Sequence, residues 1–206
     1  ASRNRLRVKS RDGERELEWD ELVLATGARP MRLPEQPDHP RVRSFHAYED
    51  IAPLHNGLAK GEIESVIIVG AGLVGCELAE AFGALWGAEV TLVEAAESPL
   101  PGVLDRETAS IISHVLKEND IALHCGSPVD SIEASDEGVI VTAGGKVLKA
   151  DCAVVATGVE PVVELAQTAG VKIGETGAIV VDEKLATSVP HVWAAGDCAE
   201  LRHAVT

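Results

Sequence analysis

Aromatic side chains are scarce: two Phe, one Tyr and three Trp make up 3% of the 206 residues, although hydrophobic residues reach 46%. A core built almost without aromatics is aliphatic, and with 19 Gly it suits parallel strands covered on both faces by helices, which is an α/β sheet. Long apolar runs are also missing. None approaches the roughly 18 residues needed to cross a bilayer, and the amino terminus carries no charged-then-apolar signal, so the sequence predicts a cytoplasmic protein with no membrane span. Cations are in short supply. Residues 61–206 hold 7 Lys/Arg against 23 Asp/Glu, whereas residues 1–60 hold 11 against 10, a balance that sets nucleic acid aside as a partner.

Cys76, Cys125, Cys152 and Cys198 include no Cys-x-x-Cys that would poise a dithiol or grip zinc, so buried free thiols are expected. His39, His46, His55, His114, His124, His191 and His203 show no H-x-x-x-H spacing, which assigns them surface or packing roles and indicates no metal. The chain opens at Ala1 rather than Met and runs straight into a strand-like segment, as an excerpt of a longer protein would.

Alternating residues 3–9 and 15–19 about Asp12-Gly13 predict a hairpin. A strand over residues 22–25 follows, ending at Thr26-Gly27. From Arg29 onward Pro30, Pro34, Pro37 and Pro40 forbid regular structure, so residues 29–40 read as a connector between domains. Residues 48–58 form a short helix closed by Gly57 or Gly61. From Ser65 strand and helix alternate: strand 65–69, helix 73–86, strand 89–94, helix 105–118, strand 121–124. This is a βαβ unit with crossover helices. Residues 129–134, 138–142 and 146–149 read as a three-stranded meander, and residues 153–156 return to the sheet. The tail holds a small helix at 163–168 and strands at 178–181 and 191–194.

Val69-Gly70-Ala71-Gly72-Leu73-Val74-Gly75 is G-x-G-x-x-G between a strand and a helix. Gly70 serves the tight turn, Gly72 lets a pyrophosphate approach the backbone, and Gly75 lets the helix pack against the strand. The unpaired N–H groups at the helix start suit phosphate. Glu94 ends the next strand, 24 residues after Gly70, where a carboxylate accepts hydrogen bonds from the adenosine ribose and repels a 2′-phosphate. The next cation along the chain is Arg106, so NAD(H) is favoured over NADP(H).

The order Ala25-Thr26-Gly27, Gly70-x-Gly72-x-x-Gly75-x-Glu77, Glu94, Ala156-Thr157-Gly158 and Ala195-Gly196-Asp197 resembles the FAD-dependent pyridine nucleotide–disulfide oxidoreductases over nearly the whole chain. The ending from Gly196 to Thr206 is most similar to the NADH oxidase and coenzyme A-disulfide reductase branch. The absence of Cys-x-x-Cys argues against low-molecular-weight thioredoxin reductases. The resemblance implies a Rossmann-like NAD(H) domain over residues 41–160. It is flanked by partial FAD-domain segments, residues 1–40 (with the Pro-rich connector) and 161–206. It implies that Thr26, Gly27, Thr157 and Gly158 line the flavin and nicotinamide regions and that Gly196 and Asp197 meet FAD, the aspartate at its ribityl chain. It places Glu77 near the nicotinamide. The family's redox cysteine and first G-x-G-x-x-G are expected upstream, so no catalytic residue is assigned within these 206. Glu160 and Val162 depart from the family's usual cation and Asn around the proline matching Pro161.

Two further function classes compete with this reading. A non-catalytic NAD(H) redox sensor has no need of a second Ala-Thr-Gly turn or a Gly-Asp ending. A short-chain dehydrogenase needs Tyr-x-x-x-Lys, but Ala52 stands four residues after Tyr48, the sole tyrosine. The expected function is therefore the NADH-binding part of a flavoprotein that passes hydride from NADH to FAD. The final acceptor is a disulfide, persulfide, oxygen or small redox protein, and the full-length parent is expected to be a homodimer.

Overall fold

The computed structural model describes residues 4–34 and 36–201. Arg3, where the first strand was expected to start, and residues 202–206 with His203 lie outside the described residues. In chain order the elements are β1 (Arg5–Ser10), β2 (Gly13–Glu18), β3 (Leu22–Leu24), β4 (Ala28–Pro30), β5 (Val42–Ser44), α1 (Tyr48–Ala59) and β6 (Ser65–Val69). Next come α2 (Leu73–Glu80), a π-helical turn (Ala81–Leu85), β7 (Glu89–Val93), α3 (Arg106–Glu118) and β8 (Ala122–His124). The remainder are β9 (Val129–Ser135), β10 (Gly138–Ala143), β11 (Lys146–Ala150), β12 (Cys152–Val155), β13 (Val159–Pro161), α4 (Glu164–Thr168), β14 (Ile179–Val180), β15 (Val192–Ala194) and β16 (Ala199–Glu200). Two compact units result, one formed by Pro30–Val159 and one by the described residues up to Arg29 and from Glu160 onward.

In the first of these units a five-stranded parallel sheet has the order β5-β12-β6-β7-β8. Side chains of a strand alternate between its faces, and here both faces are covered. Val66 and Ile68 of β6 share a core with Leu54, Leu78, Phe82 and Leu116 of the helices and the π turn, while Ile67 and Val69 pack with Ile132, Val139 and Val141 of the antiparallel meander β11-β10-β9. The register aligns Val66 with Val90 and Cys152, and Ile68 with Leu92 and Val154, so each apolar row is continuous across three strands. That double burial is why β6 from Val66 onward and the whole of β12 are apolar rather than alternating.

The second unit is smaller. Its hairpin β1-β2 is antiparallel, β3 lies parallel to β15, and β14 parallel to β16. Leu24, Ala166, Val171, Ile179, Val192, Ala194 and Cys198 form its core.

Several expectations are refined. The helix expected to run to residue 86 is α-helical only to Glu80; the next turn is π-helical, with Phe82 held in the core and Leu85 78% exposed. Trp86, just beyond it, stands edge-on to His55 with ring centroids 5.1 Å apart. Asp105 is the N-cap of α3, accepting from Thr108 N–H at 2.8 Å, so α3 begins at Arg106. Gly61, with φ +67°, follows the end of α1, and Gly57 lies within it. The prolines do not abolish structure completely, because β4 ends on Pro30 and pairs with β13. At a strand terminus the missing N–H of proline is tolerated.

Candidate functional site

Strands β6, β7 and β12 end at one edge of the parallel sheet, and a cleft of about 470 Å³ opens there. Its walls include Val69 and Gly70, Val93 to Ala95, and Val155 to Val159. Connections leave β6 for β7 on one side and β12 lies on the other, so the cleft sits where the strand order reverses, the usual ligand position in open α/β sheets.

Each motif glycine has a separate geometric reason. Gly70 turns the chain at φ +105°, and a Cβ there would stand 2.5 Å from the carbonyl oxygen of Ala156. At Gly75 a Cβ would come within 1.8 Å of the Gly70 carbonyl oxygen, so the first turn of α2 fits against the loop only without a side chain. Gly72 differs. Nothing lies within 4 Å of its Cβ position, and as N-cap of α2 it offers no side-chain cap. The first-turn N–H groups therefore face open space bordered by Leu73 and Val74. That vacant approach to uncapped donors fits a pyrophosphate.

Glu94 is 9% exposed. Its Oε2 accepts from Ala71 N–H at 2.7 Å and its Oε1 from Ala96 N–H at 2.8 Å. One carboxylate thus ties the glycine loop to the turn after β7. A carboxylate accepts about four hydrogen bonds, so capacity remains for ribose hydroxyls. Arg106, the next cation in sequence, lines a separate depression with Glu97, Ser98, Ser110 and Ser113. The fold also brings up a cation that linear order conceals. Lys146 Nζ lies 3.2 Å from His124 Nδ1, and the His124 carbonyl accepts from Glu94 N–H at 2.8 Å. Burial and the Lys146 ammonium push the His124 imidazole pKa down.

Thr157 and Gly158 border the cleft, anchored by Thr157 Oγ1 to Met31 O at 3.4 Å and Met31 N–H to Gly158 O at 3.0 Å. His46, two residues past β5, is a further lining residue that the sequence did not single out. Glu77 is exposed and lines a different depression, with Leu73, Cys76, Glu80 and residues of α3. Leu73 belongs to both.

In the smaller unit Leu22–Leu24 and Val192–Ala194 run side by side, so Thr26 and Gly27 emerge at the same edge as Gly196 and Asp197. Thr26 Oγ1 donates to Val162 O, and Gly27 O accepts from Val162 N–H at 2.9 Å. Asp197 is exposed, with no hydrogen-bond partner among the described residues. Glu160, unexpected in sequence, accepts from Arg29 Nε at 2.7 Å, and Glu164 takes the same guanidinium at 2.5 Å. Arg29 thus bridges two carboxylates, those of Glu160 and Glu164.

The sequence profile of the pyridine nucleotide-disulphide oxidoreductases matches residues 2–206. This chain belongs to that family. Its fold is accordingly the Rossmann-like α/β type, and the family's cofactors, a nicotinamide dinucleotide and FAD, are those anticipated from the motifs. An NAD(P)H sulfur oxidoreductase (CoA-dependent) of Pyrococcus abyssi is 42% identical over 98% of this chain and 45% of its own length. An NADH oxidase of Methanocaldococcus jannaschii is 36% identical, again over 45% of its length. Among solved structures, an NAD-dependent persulfide reductase from A. fulgidus superposes with a TM-score of 0.90 at 38% identity, over 96% of this chain and 37% of that one. The chain therefore spans less than half the length of these relatives.

Three of the thiols of this family member are held protonated. Burial pushes the Cys76 and Cys125 thiols up, with Glu94 adding to both, and burial raises Cys152 to about 12. A thiol with a raised pKa holds little thiolate near neutral pH. All four cysteines are free. Among the described residues no group of three or more His, Cys, Asp or Glu is placed to hold a metal ion, and no helix is long and apolar enough to cross a membrane.

Proposed function

We propose that residues 30–159 hold NADH, and that Thr26, Gly27, Gly196 and Asp197 form part of an FAD site. The full-length protein would then pass hydride from NADH to FAD and on to a sulfur, oxygen or small redox-protein acceptor. The observation that carries this reading is the glycine loop. Two of its glycines exclude any side chain, the third leaves uncapped helix donors facing a cleft, and a buried carboxylate braces the loop from the side where an adenosine would lie.

When both cofactors are bound, the nicotinamide supplies the hydride and the flavin accepts it. The protein's own work is positioning. The first-turn N–H groups of α2 hold the phosphates, with the helix dipole adding about half a positive charge. Glu94 orients the ribose through its remaining lone pairs, and its negative charge disfavours a 2′-phosphate. The carboxylate of Asp197, without a protein partner among the described residues, is the acceptor that hydroxyls of a flavin ribityl chain require. Glu77, one turn into α2, is assigned the nicotinamide end. A sulfur acceptor is supported by the similar proteins named sulfur oxidoreductase and persulfide reductase.

Parallel titrations with NADH and NADPH test the assignment. A charge-assisted hydrogen bond is worth about 1.5–3 kcal/mol, so NADH should bind roughly ten- to a hundredfold more tightly. Equal affinities, or tighter NADPH, would remove Glu94 from the ribose.

A further inference from the structure

The cleft at the glycine loop is poor in charge. Of the residues that line it, only His46 and Glu94 titrate, and neither lysine nor arginine is among them. A dinucleotide pyrophosphate brings two negative charges into this space, in a protein of net charge −15. Against them the cleft offers the dipole of α2, whose first turn has no acidic residue, and one imidazole.

His46 is exposed, at the carboxyl end of β5, the edge strand of the parallel sheet, on the same edge as the loop after β6. Its backbone is fixed: Asp50 Oδ2 accepts from His46 N–H at 3.3 Å and from Ala47 N–H at 3.0 Å, which seats the turn against the start of α1. The cleft is also lined by Gly72, Leu73 and Val74 at the start of α2 and by Thr157 from the turn after β12.

We infer that His46 is a phosphate-contacting residue whose protonation is linked to nucleotide binding, so that the cleft takes up a proton as it takes up the dinucleotide. This deepens the NADH-binding reading and rests on it. An imidazolium beside two phosphates holds its proton more tightly than one facing water. The affinity gained is therefore present at the acid side of the imidazole range and lost as pH rises through it.

Other ionisable side chains flank His46 in sequence or line the same cleft. Asp50 and Glu49 on α1 and the cleft-lining Glu94 are carboxylates, Tyr48 is a phenol, and Arg43 on β5 is a guanidinium group. His124 is the competing titrating group, because its backbone carbonyl holds Glu94, but its ring faces Lys146.

Calorimetric titration of the chain with ADP-ribose between pH 6 and 8, in two buffers of different ionisation enthalpy, tests this directly. The expected result is net proton uptake near the middle of the range and roughly tenfold tighter binding at pH 6 than at pH 8. His46→Gln should abolish both. His46→Lys, with a fixed charge, should bind tightly at pH 8 without proton uptake. Uptake that persists in His46→Gln, or that vanishes instead in His124→Gln, overturns the assignment of His46. Binding that is flat in pH overturns it too while leaving the nucleotide reading intact. No binding of ADP-ribose at any pH removes the nucleotide reading itself.

Discussion

Glu94→Gln tests structure and specificity in one substitution. The side chain keeps its volume, but glutamine has one acceptor oxygen where the carboxylate uses two, on Ala71 N–H at 2.7 Å and Ala96 N–H at 2.8 Å. Whichever N–H the amide oxygen keeps, the other faces an NH₂ donor at a site only 9% exposed. An unsatisfied buried donor costs about 1–3 kcal/mol, and the surviving bond loses its charge assistance. The sum is about 2–3 kcal/mol. In a unit of this size each kcal/mol moves the midpoint by roughly 4 °C, so differential scanning calorimetry should show a fall of about 8 to 12 °C in the transition of residues 30–159. The same variant removes the repulsion of a 2′-phosphate, so the NADH to NADPH affinity ratio should fall about tenfold. A midpoint unchanged within a degree would refute the bracing role. A preserved nucleotide preference would refute the specificity role, whatever the stability change.

Glu77→Gln in the full-length protein separates positioning from helix-dipole support. If Glu77 meets the nicotinamide end, ADP-ribose affinity should barely change while stopped-flow flavin reduction at saturating NADH slows at least about tenfold, since a misplacement of an ångström can cost about a hundredfold; an unchanged limiting rate would leave it only a dipole partner of α2. Acid should loosen the start of β6 through Asp151. Burial acts to raise its pKa, but the N–H groups of Glu64 and Ser65 and the Ser65 hydroxyl, at 2.8 to 2.9 Å, overcome this and hold it below the usual carboxylate value. Its contribution is therefore full above the unfolded value near pH 3.9 and lost as pH falls through the lower folded value. Asp151→Asn should flatten stability against pH below about pH 4, measured by urea unfolding, and an unaltered slope would count against the carboxylate.

The βαβ unit was legible almost to the residue because its signals are local. Val66 to Val69 is a continuous apolar run, Gly70 to Gly75 punctuates it, and Asp105 caps the following helix. What escaped detection depends on distant partners. Val42–Ser44 is three residues long and is a strand only because Ala153 to Val155 lie beside it. Ala28–Pro30, which the prolines seemed to forbid, is ordered by pairing with β13. The π turn leaves no mark in an apolar pattern that reads smoothly from Leu73 to Trp86. In the site, Glu94 was visible by its spacing, but its bonds to Ala71 and Ala96 were not. His46 and Lys146 carry no motif; only the fold brings them to the edge where the parallel strands end. Glu160 departs from the family pattern in sequence, and only the fold sets Arg29 beside it.

The hydrogen bond from Met31 N–H to Gly158 O has a consequence for how such a protein is assembled from parts. It makes neighbours of the two ends of the larger unit, which runs from Pro30 to Val159. Modules whose termini touch tolerate transplantation and circular permutation. The larger unit is therefore a candidate cassette, one that two cuts at adjacent points would release for exchange or permutation.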